Sequence, residues 1–262
     1  MNLAFGARTN WGKSYGLQAY TERNAPEYDR TVLVDYKDEY TGLVESGLLQ
    51  RLPVRPGTEN LSRAEWRQIL EDNGNLQLGR DGMTDDAWRE TIATVIEALA
   101  QLDERTFLGL DEAHRLAPQG KGYPDAFDTL ATTWHGDGMG VGWVTQRFAK
   151  LDEDIASQCQ ASMLGGFGSG NDLDKVRGIV EYPADVHKAD AETCPRTLPD
   201  DLLVDGEPLT LRRFSDDAGN TIGSEWIYSD DTTLQRIDSR DWTLESTHYG
   251  SDRVRIKHPF DD

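Results

Sequence analysis

The chain is 262 residues long, 37% hydrophobic and 28% charged, which is enough to bury a full core and too mixed for a disordered chain or a membrane bundle. Forty-seven acids against 27 bases give a net charge of −20, so the overall field repels polyanions and any nucleic-acid contact needs a local basic patch. No apolar run approaches the ~18 residues that span a bilayer, and Met1-Asn2-Leu3-Ala4-Phe5 lacks the basic and apolar regions of a signal peptide, so a cytoplasmic location without membrane insertion is expected.

In chain order, Leu3-Ala4-Phe5 reads as a short buried strand, and a plausible helix runs from Ser14 to Glu22. Thr31 to Asp35 is a β-branched strand. Residues 49–83 are punctuated by Pro53, Pro56, Gly57, Gly74, Gly79 and Gly82 and are expected to form an irregular insertion with one short helix, Ala64 to Glu71. Asp85 to Leu102 places Trp88, Ile92, Val95, Ile96 and Leu99 at helical spacing, with Asp85 and Asp86 in the first turn. Thr106 to Leu110 and Val141 to Val144 are further strands, separated by a helix with Pro124 in its first turn and Gly136 near its end. This alternation predicts an α/β core over residues 1–194, with a mainly parallel sheet flanked by helices. From Pro195 the pattern changes to strand-like stretches, Leu209 to Phe214, Ser224 to Tyr228 and Arg253 to Lys257, between Asp/Gly turns. A small β-rich appendage over 195–262 is expected.

Ala7-Arg8-Thr9-Asn10-Trp11-Gly12-Lys13-Ser14, followed by Tyr15, joins the first strand to the first helix, the context that a phosphate-binding loop requires. In such a loop backbone N–H groups point at the β-phosphate, and the helix N-terminus adds partial positive charge. Lys13 can then reach the β- and γ-phosphates, and Ser14 can bind Mg²⁺. Ala7 stands where the first glycine of the pattern is usual, which a negative φ would allow. Trp11 could stack on a base or shield the loop; shielding is the favoured reading. Asp111-Glu112 closes the third strand, at the edge where ligands of a parallel sheet collect. Asp111 would hold Mg²⁺ through a water and Glu112 would polarise the attacking water, although an acidic turn is common in so acidic a chain. Gln146 follows the fourth strand, where an amide that both donates and accepts could sense a γ-phosphate or lytic water, or merely face solvent. Cys159 and Cys194 fit no metal-ligand spacing. Arg253, Arg255 and Lys257 alternate on one strand face, which could meet DNA, an acidic partner or only solvent.

Three of these places together resemble the HerA/FtsK superfamily of hexameric DNA-translocating ATPases, over about residues 3–180. Val32 to Leu43, with Asp35 and Glu39-Tyr40, is similar to the family's second-strand signature. Leu110-Asp111-Glu112-Ala113-His114-Arg115-Leu116 is similar to its Asp-Glu-Ala-His box, and Thr145-Gln146-Arg147 to its sensor motif. His114 is either a family accessory residue or simply the first turn of a helix. The resemblance implies ATP and Mg²⁺ as cofactors, self-assembly into a homohexamer, and double-stranded DNA as the partner.

The chain departs from the family in two ways. HerA helicases carry a barrel before the phosphate loop, whereas here the first strand begins at Leu3; this reduction resembles the genome-packaging ATPases of tailless, membrane-containing double-stranded DNA viruses. The acidic balance, with seven lysines against twenty arginines, resembles proteins of extreme halophiles and points to a haloarchaeal host, although an acidic mesophilic protein has the same charge. The arginine that the family places upstream of its sensor, for the neighbouring subunit's nucleotide, is missing from Trp134-His135-Gly136-Asp137, and Arg147 is the substitute candidate. The expected function is an ATP-driven DNA translocase, in the viral case with capsid or membrane-vertex proteins as partners and a place at the virion vertex. A HerA-like repair translocase and a nucleotide-binding assembly scaffold are the alternatives.

Overall fold

In a computed structural model, which describes residues 1–134 and 138–250, the chain forms one ten-stranded sheet with helices on both faces. The elements are β1 (Asn2–Gly6), α1 (Lys13–Asn24), β2 (Arg30–Asp35), α2 (Thr41–Glu45), β3 (Gln50–Val54), α3 (Arg63–Asp72), β4 (Leu76–Arg80), α4 (Asp85–Leu99) and β5 (Thr106–Leu110). They continue with α5 (Ala126–Thr132), β6 (Met139–Thr145), α6 (Glu153–Ser157), β7 (Ala161–Leu164), α7 (Gly170–Arg177), β8 (Arg213–Ser215), β9 (Thr221–Ser229) and β10 (Leu234–Asp238).

The strand order is β10-β9-β7-β1-β6-β5-β2-β4-β3, with β8 paired to β9. Every pairing from β7 to β3 is parallel, while β8, β9 and β10 join antiparallel. β1 lies between β6 and β7, so the chain leaving it and the chain leaving β6 emerge side by side at one sheet edge.

Alternation along the strands explains their continuous apolar runs, because both faces are covered. Val32 and Val34 pack into the core beneath α4, whereas Leu33 between them joins Leu3, Phe5 and Leu17 in the core beneath α1. Helix α4 begins on the Thr84 hydroxyl, which accepts from Ala87 N–H at 3.2 Å, and it buries Trp88, Ile92, Val95, Ile96 and Leu99 completely or nearly so.

The irregular insertion expected at 49–83 is instead a regular β3-α3-β4 unit extending the parallel sheet. Pro53 had argued against a strand, but β3 is the edge strand, where a missing N–H costs no ladder bond. Helix α3 is set by a capping box between Ser62 and Glu65. The segment after residue 194 contributes β8, β9 and β10 to this same sheet through the β7–β9 pairing, so the division at 194/195 marks a change of strand direction within one sheet. Of the expected Leu209 to Phe214 strand only Arg213 and Phe214 are in a regular strand, β8, and β10 was not anticipated. The expected strand Arg253 to Lys257 and the helix end at Gly136 lie outside the described residues. Among the described residues no helix is long and apolar enough to cross a membrane.

Candidate functional site

The loop after β1 is tied into the sheet at its start, where Arg8 N–H donates to the Gly166 carbonyl at 2.8 Å. It then curls through left-handed backbone at Asn10 (φ 59°) and Gly12 (φ 85°) and enters α1 at Lys13. The backbone N–H groups of Asn10, Trp11, Gly12, Lys13 and Ser14 have no acceptor among the described residues. A row of unpaired N–H groups at the start of a helix is an anion cradle. Lys13 Nζ donates back across the loop to the Arg8 carbonyl at 2.9 Å, and burial pulls its pKa down to about 8 against the opposing charges of Glu112 and Asp111. Ala7 is fully buried and does not take a positive φ, so the side chain replacing the usual glycine causes no backbone strain.

Trp11 points away from this cradle. Its side chain is 2% exposed, its indole N–H donates to the Glu225 carbonyl at 3.0 Å, and its ring fills the space that a Cβ on Gly165 or Gly166 would occupy. Ser224 Oγ donates to the Trp11 carbonyl at 2.6 Å and Thr221 Oγ1 to the Asn10 carbonyl at 3.2 Å. The tryptophan therefore anchors the loop to β9. Stacking on a base is excluded by its burial. Arg8 also turns outward, pairing with Asp190 at 3.0 Å on the surface.

Beside the loop, β5 ends in two acids. Asp111 is 6% and Glu112 2% exposed, and Glu112 takes left-handed backbone (φ 51°, ψ 42°), an uncommon conformation for a side chain of this size and one that clusters at functional sites. Asp111 Oδ2 and Glu112 Oε2 are buried without a hydrogen-bond partner. Burial, with the charges of Glu112, Asp35 and Glu39, holds the Asp111 carboxyl well above the usual carboxylate range. Such an oxygen can accept a hydrogen bond or coordinate a cation.

Lys37 forms an ion pair with Glu112 Oε1, and Ser14 Oγ donates to the Glu39 carboxylate. Both partners come from the loop after β2, shaped by Asp35: its carboxylate accepts from the N–H groups of Lys37 (3.2 Å), Glu39 (3.1 Å) and Tyr40 (3.1 Å), and from Gln77. Burial raises the Asp35 pKa to about 6. Gln146 Oε1 accepts from Thr9 Oγ1 at 2.8 Å, linking the end of β6 to the loop. His114 Nδ1 lies 2.9 Å from Thr145 Oγ1 and 3.3 Å from Glu112 Oε2; burial lowers its pKa to about 4, so the ring is neutral at pH 7 and braces rather than pairs.

Lys13, Ser14, Lys37, Glu39, Asp111, Glu112 and Gln146 line one cavity of about 650 Å³, within the range of small-molecule sites, with Asp35 and His114 behind them. Of the residues expected from sequence, Thr9, Asn10, Gly12, Lys13, Ser14, Tyr15, Asp111, Glu112 and Gln146 line it, whereas Ala7, Arg8, Trp11 and Arg147 do not. Arg147 is exposed, and its guanidinium has no partner among the described residues. A second cavity of about 710 Å³, by Ser157, Gln160, Glu181 and Asp230, holds none of the expected site residues.

No protein-family model and no curated protein matches the chain. Solved structures do. The genome packaging NTPase B204 from Sulfolobus turreted icosahedral virus 2, in complex with ATP-gammaS, superposes with a TM-score of 0.55 at 15% identity, over 90% of this chain and 95% of that one. B204, the DNA-packaging ATPase from Sulfolobus turreted icosahedral virus, gives 0.55 at 13% identity over 90% and 95%. VirB4 of Thermoanaerobacter pseudethanolicus gives 0.55 at 12% identity over 95% and 90%. The fold is that of a P-loop NTPase. At such identities the likeness is one of architecture.

Sequence reasoning missed Lys37 and Glu39 as site residues, although both lie in the stretch singled out after β2. Their signal was Asp35, a carboxylate at a strand end that can gather the following N–H groups and turn the chain back. It also missed the far wall of the cavity, which includes Arg213, Ile222, Ser224, Arg240 and His248.

Proposed function

We propose that this chain is an ATP-driven double-stranded DNA translocase of the genome-packaging kind, acting as a hexameric ring of its own copies. The observation that carries the reading is the convergence of Lys13, Ser14, Asp111, Glu112 and Gln146 on one cavity, beside a run of backbone N–H groups without acceptors. That set supplies each part needed for phosphoryl transfer to water.

The loop N–H groups and Lys13 bind the phosphates. Ser14 and the unpartnered oxygen of Asp111 suit a magnesium ion, whose binding would exchange the Ser14 bond to Glu39 and displace the proton that burial favours on Asp111. When bound, the ion neutralises phosphate charge. Glu112 takes a proton from the attacking water once Lys37 releases it, and Gln146 orients that water. Arg147, exposed and without a partner among the described residues, suits a role at a neighbouring subunit's nucleotide. The description of B204 as a genome packaging NTPase and a DNA-packaging ATPase supports the packaging role, with capsid or membrane-vertex proteins as partners. The charge of −20 favours a saline host such as a haloarchaeon, because molar salt shrinks the Debye length to about 3 Å.

The test is Mg²⁺-dependent ATP hydrolysis with and without duplex DNA in about 3 M KCl, where charge repulsion is screened, alongside light scattering for mass. DNA-stimulated hydrolysis by a ring, lost in Lys13→Ala, is expected. A monomer in every condition sinks the ring. Unchanged DNA uptake into capsids by Lys13→Ala would make the chain a nucleotide-binding scaffold, and activity only with a partner nuclease would make it a repair translocase.

A further inference from the structure

We infer that the segment from Arg213 to His248 holds the base-and-ribose half of the bound nucleotide, so that the C-terminal strands complete the site that the phosphate loop begins. The inference rests on the nucleotide reading above and adds the part of the ligand that no phosphate-binding group touches.

The groups given phosphate and cation roles above, Lys13, Ser14, Lys37, Asp111 and Glu112, lie in the first turn of α1 and in the loops after β2 and β5. The cavity continues beyond them to a wall of different chemistry. Ile222 stands there 56% exposed, and Met1 is the only other large hydrophobic side chain so exposed among the described residues. An apolar side chain kept in water at the mouth of a polar cavity suits a planar ring as its cover.

Around Ile222 the wall is held stiff. The Arg240 guanidinium lies 3.6 Å over the Phe214 ring centre and bonds the Asp238 carboxylate at 2.6 and 3.0 Å. Gly223 makes room for this, since a Cβ there would lie 2.3 Å from Arg240 Cγ. Arg213 also lines the cavity and makes no ion pair among the described residues, which leaves its donors for a ligand.

Tyr15 continues the lining from the first turn of α1. Its ring stacks on Trp242 at 6.3 Å and 6°, its hydroxyl donates to the Trp242 carbonyl at 3.0 Å, and His248 meets its ring edge-on at 5.4 Å. An apolar side chain, a braced aromatic and planar guanidinium groups are surfaces on which a heterocycle packs. The same strands grip the loop through the Trp11 and Ser224 bonds, so the two halves are held in register without ligand.

The experiment is calorimetric titration of the full chain with MgATP and with magnesium tripolyphosphate, which has the phosphates but neither base nor ribose. Ile222→Ser, at an exposed position, is expected to weaken ATP about fivefold or more while changing tripolyphosphate by less than about twofold. Ile222→Tyr, which restores an apolar plane, should recover ATP affinity. ATP affinity unchanged in Ile222→Ser, or an equal loss for both ligands, overturns the inference while leaving the phosphate site standing. A parent chain that binds neither ligand removes the nucleotide reading and this inference together, whereas tripolyphosphate binding lost in Lys13→Ala keeps the two questions separate.

Discussion

The loop from Asn10 to Ser14 and the segment from Arg213 to His248 line the same cavity, but they are built differently. The loop is one short run whose shape comes from its own backbone, through left-handed residues at Asn10 and Gly12 and the start of α1. The C-terminal wall is assembled from a hairpin, a following turn and long-range side-chain bonds. Glu225 is its pivot: 4% exposed, it pairs with Arg212 at 2.7 Å and Arg236 at 2.6 Å, and Arg236 also donates to the carbonyls of Leu202, Leu209 and Thr210. Function carried by a local motif can be read residue by residue, whereas a wall held by distant partners exists only once the chain has folded.

The largest effect should come from the local half. Glu112→Gln is expected to lower the hydrolysis rate about 10²–10⁴-fold while ATP affinity stays nearly unchanged, because the base is lost and the cradle is kept. Phosphate release and calorimetry on the same sample check this. A loss of affinity instead would assign Glu112 to binding.

The next tests the distributed half. Glu225→Ala leaves Arg236 buried without its charge partner and should cost about 3–5 kcal/mol in urea unfolding, as one shifted transition. Two separate transitions would mean that the C-terminal strands fold as an independent unit, against their place in the sheet.

A pH series sharpens the contrast. Burial pulls His187 down to about 4, with its ring between Tyr182 OH (3.0 Å) and the Gly165 carbonyl (2.8 Å) next to the Trp11 anchor. A depressed histidine binds fewer protons folded than unfolded, so its contribution is present above the unfolded pKa of about 6.5 and is lost as pH falls toward 4. His114, lowered to about 4 as well, acts in the same sense. Asp35, raised to about 6, and Asp111, also raised, act in the opposite sense above the unfolded aspartate pKa of about 3.9. His187→Gln should therefore lose less stability than the parent as pH falls from 6.5 toward 4, read as the difference between the two denaturant midpoints at each pH, in which the aspartate contributions cancel.

The smallest effect joins the halves. Trp11→Phe keeps most of the buried ring and removes the bond to Glu225, for a loss of about 1 kcal/mol, checked by thermal melting. No change would mean that the loop is held by packing alone.

The sequence by itself determined the loop, the acid pair and the alternation of strands and helices, because each is specified within a few neighbouring residues by backbone preference and hydrophobic period. For that reason Lys13, Asp111, Glu112 and Gln146 stand out in the sequence, and the structure brings the four to one cavity. Tertiary structure alone decided that Pro53 sits on an edge strand, that Trp11 faces β9, that Lys37 and Glu39 enter the site, and that β9 joins β7. Those outcomes depend on pairings and burials between residues far apart in the chain, whose energies do not exist until the sheet brings them together.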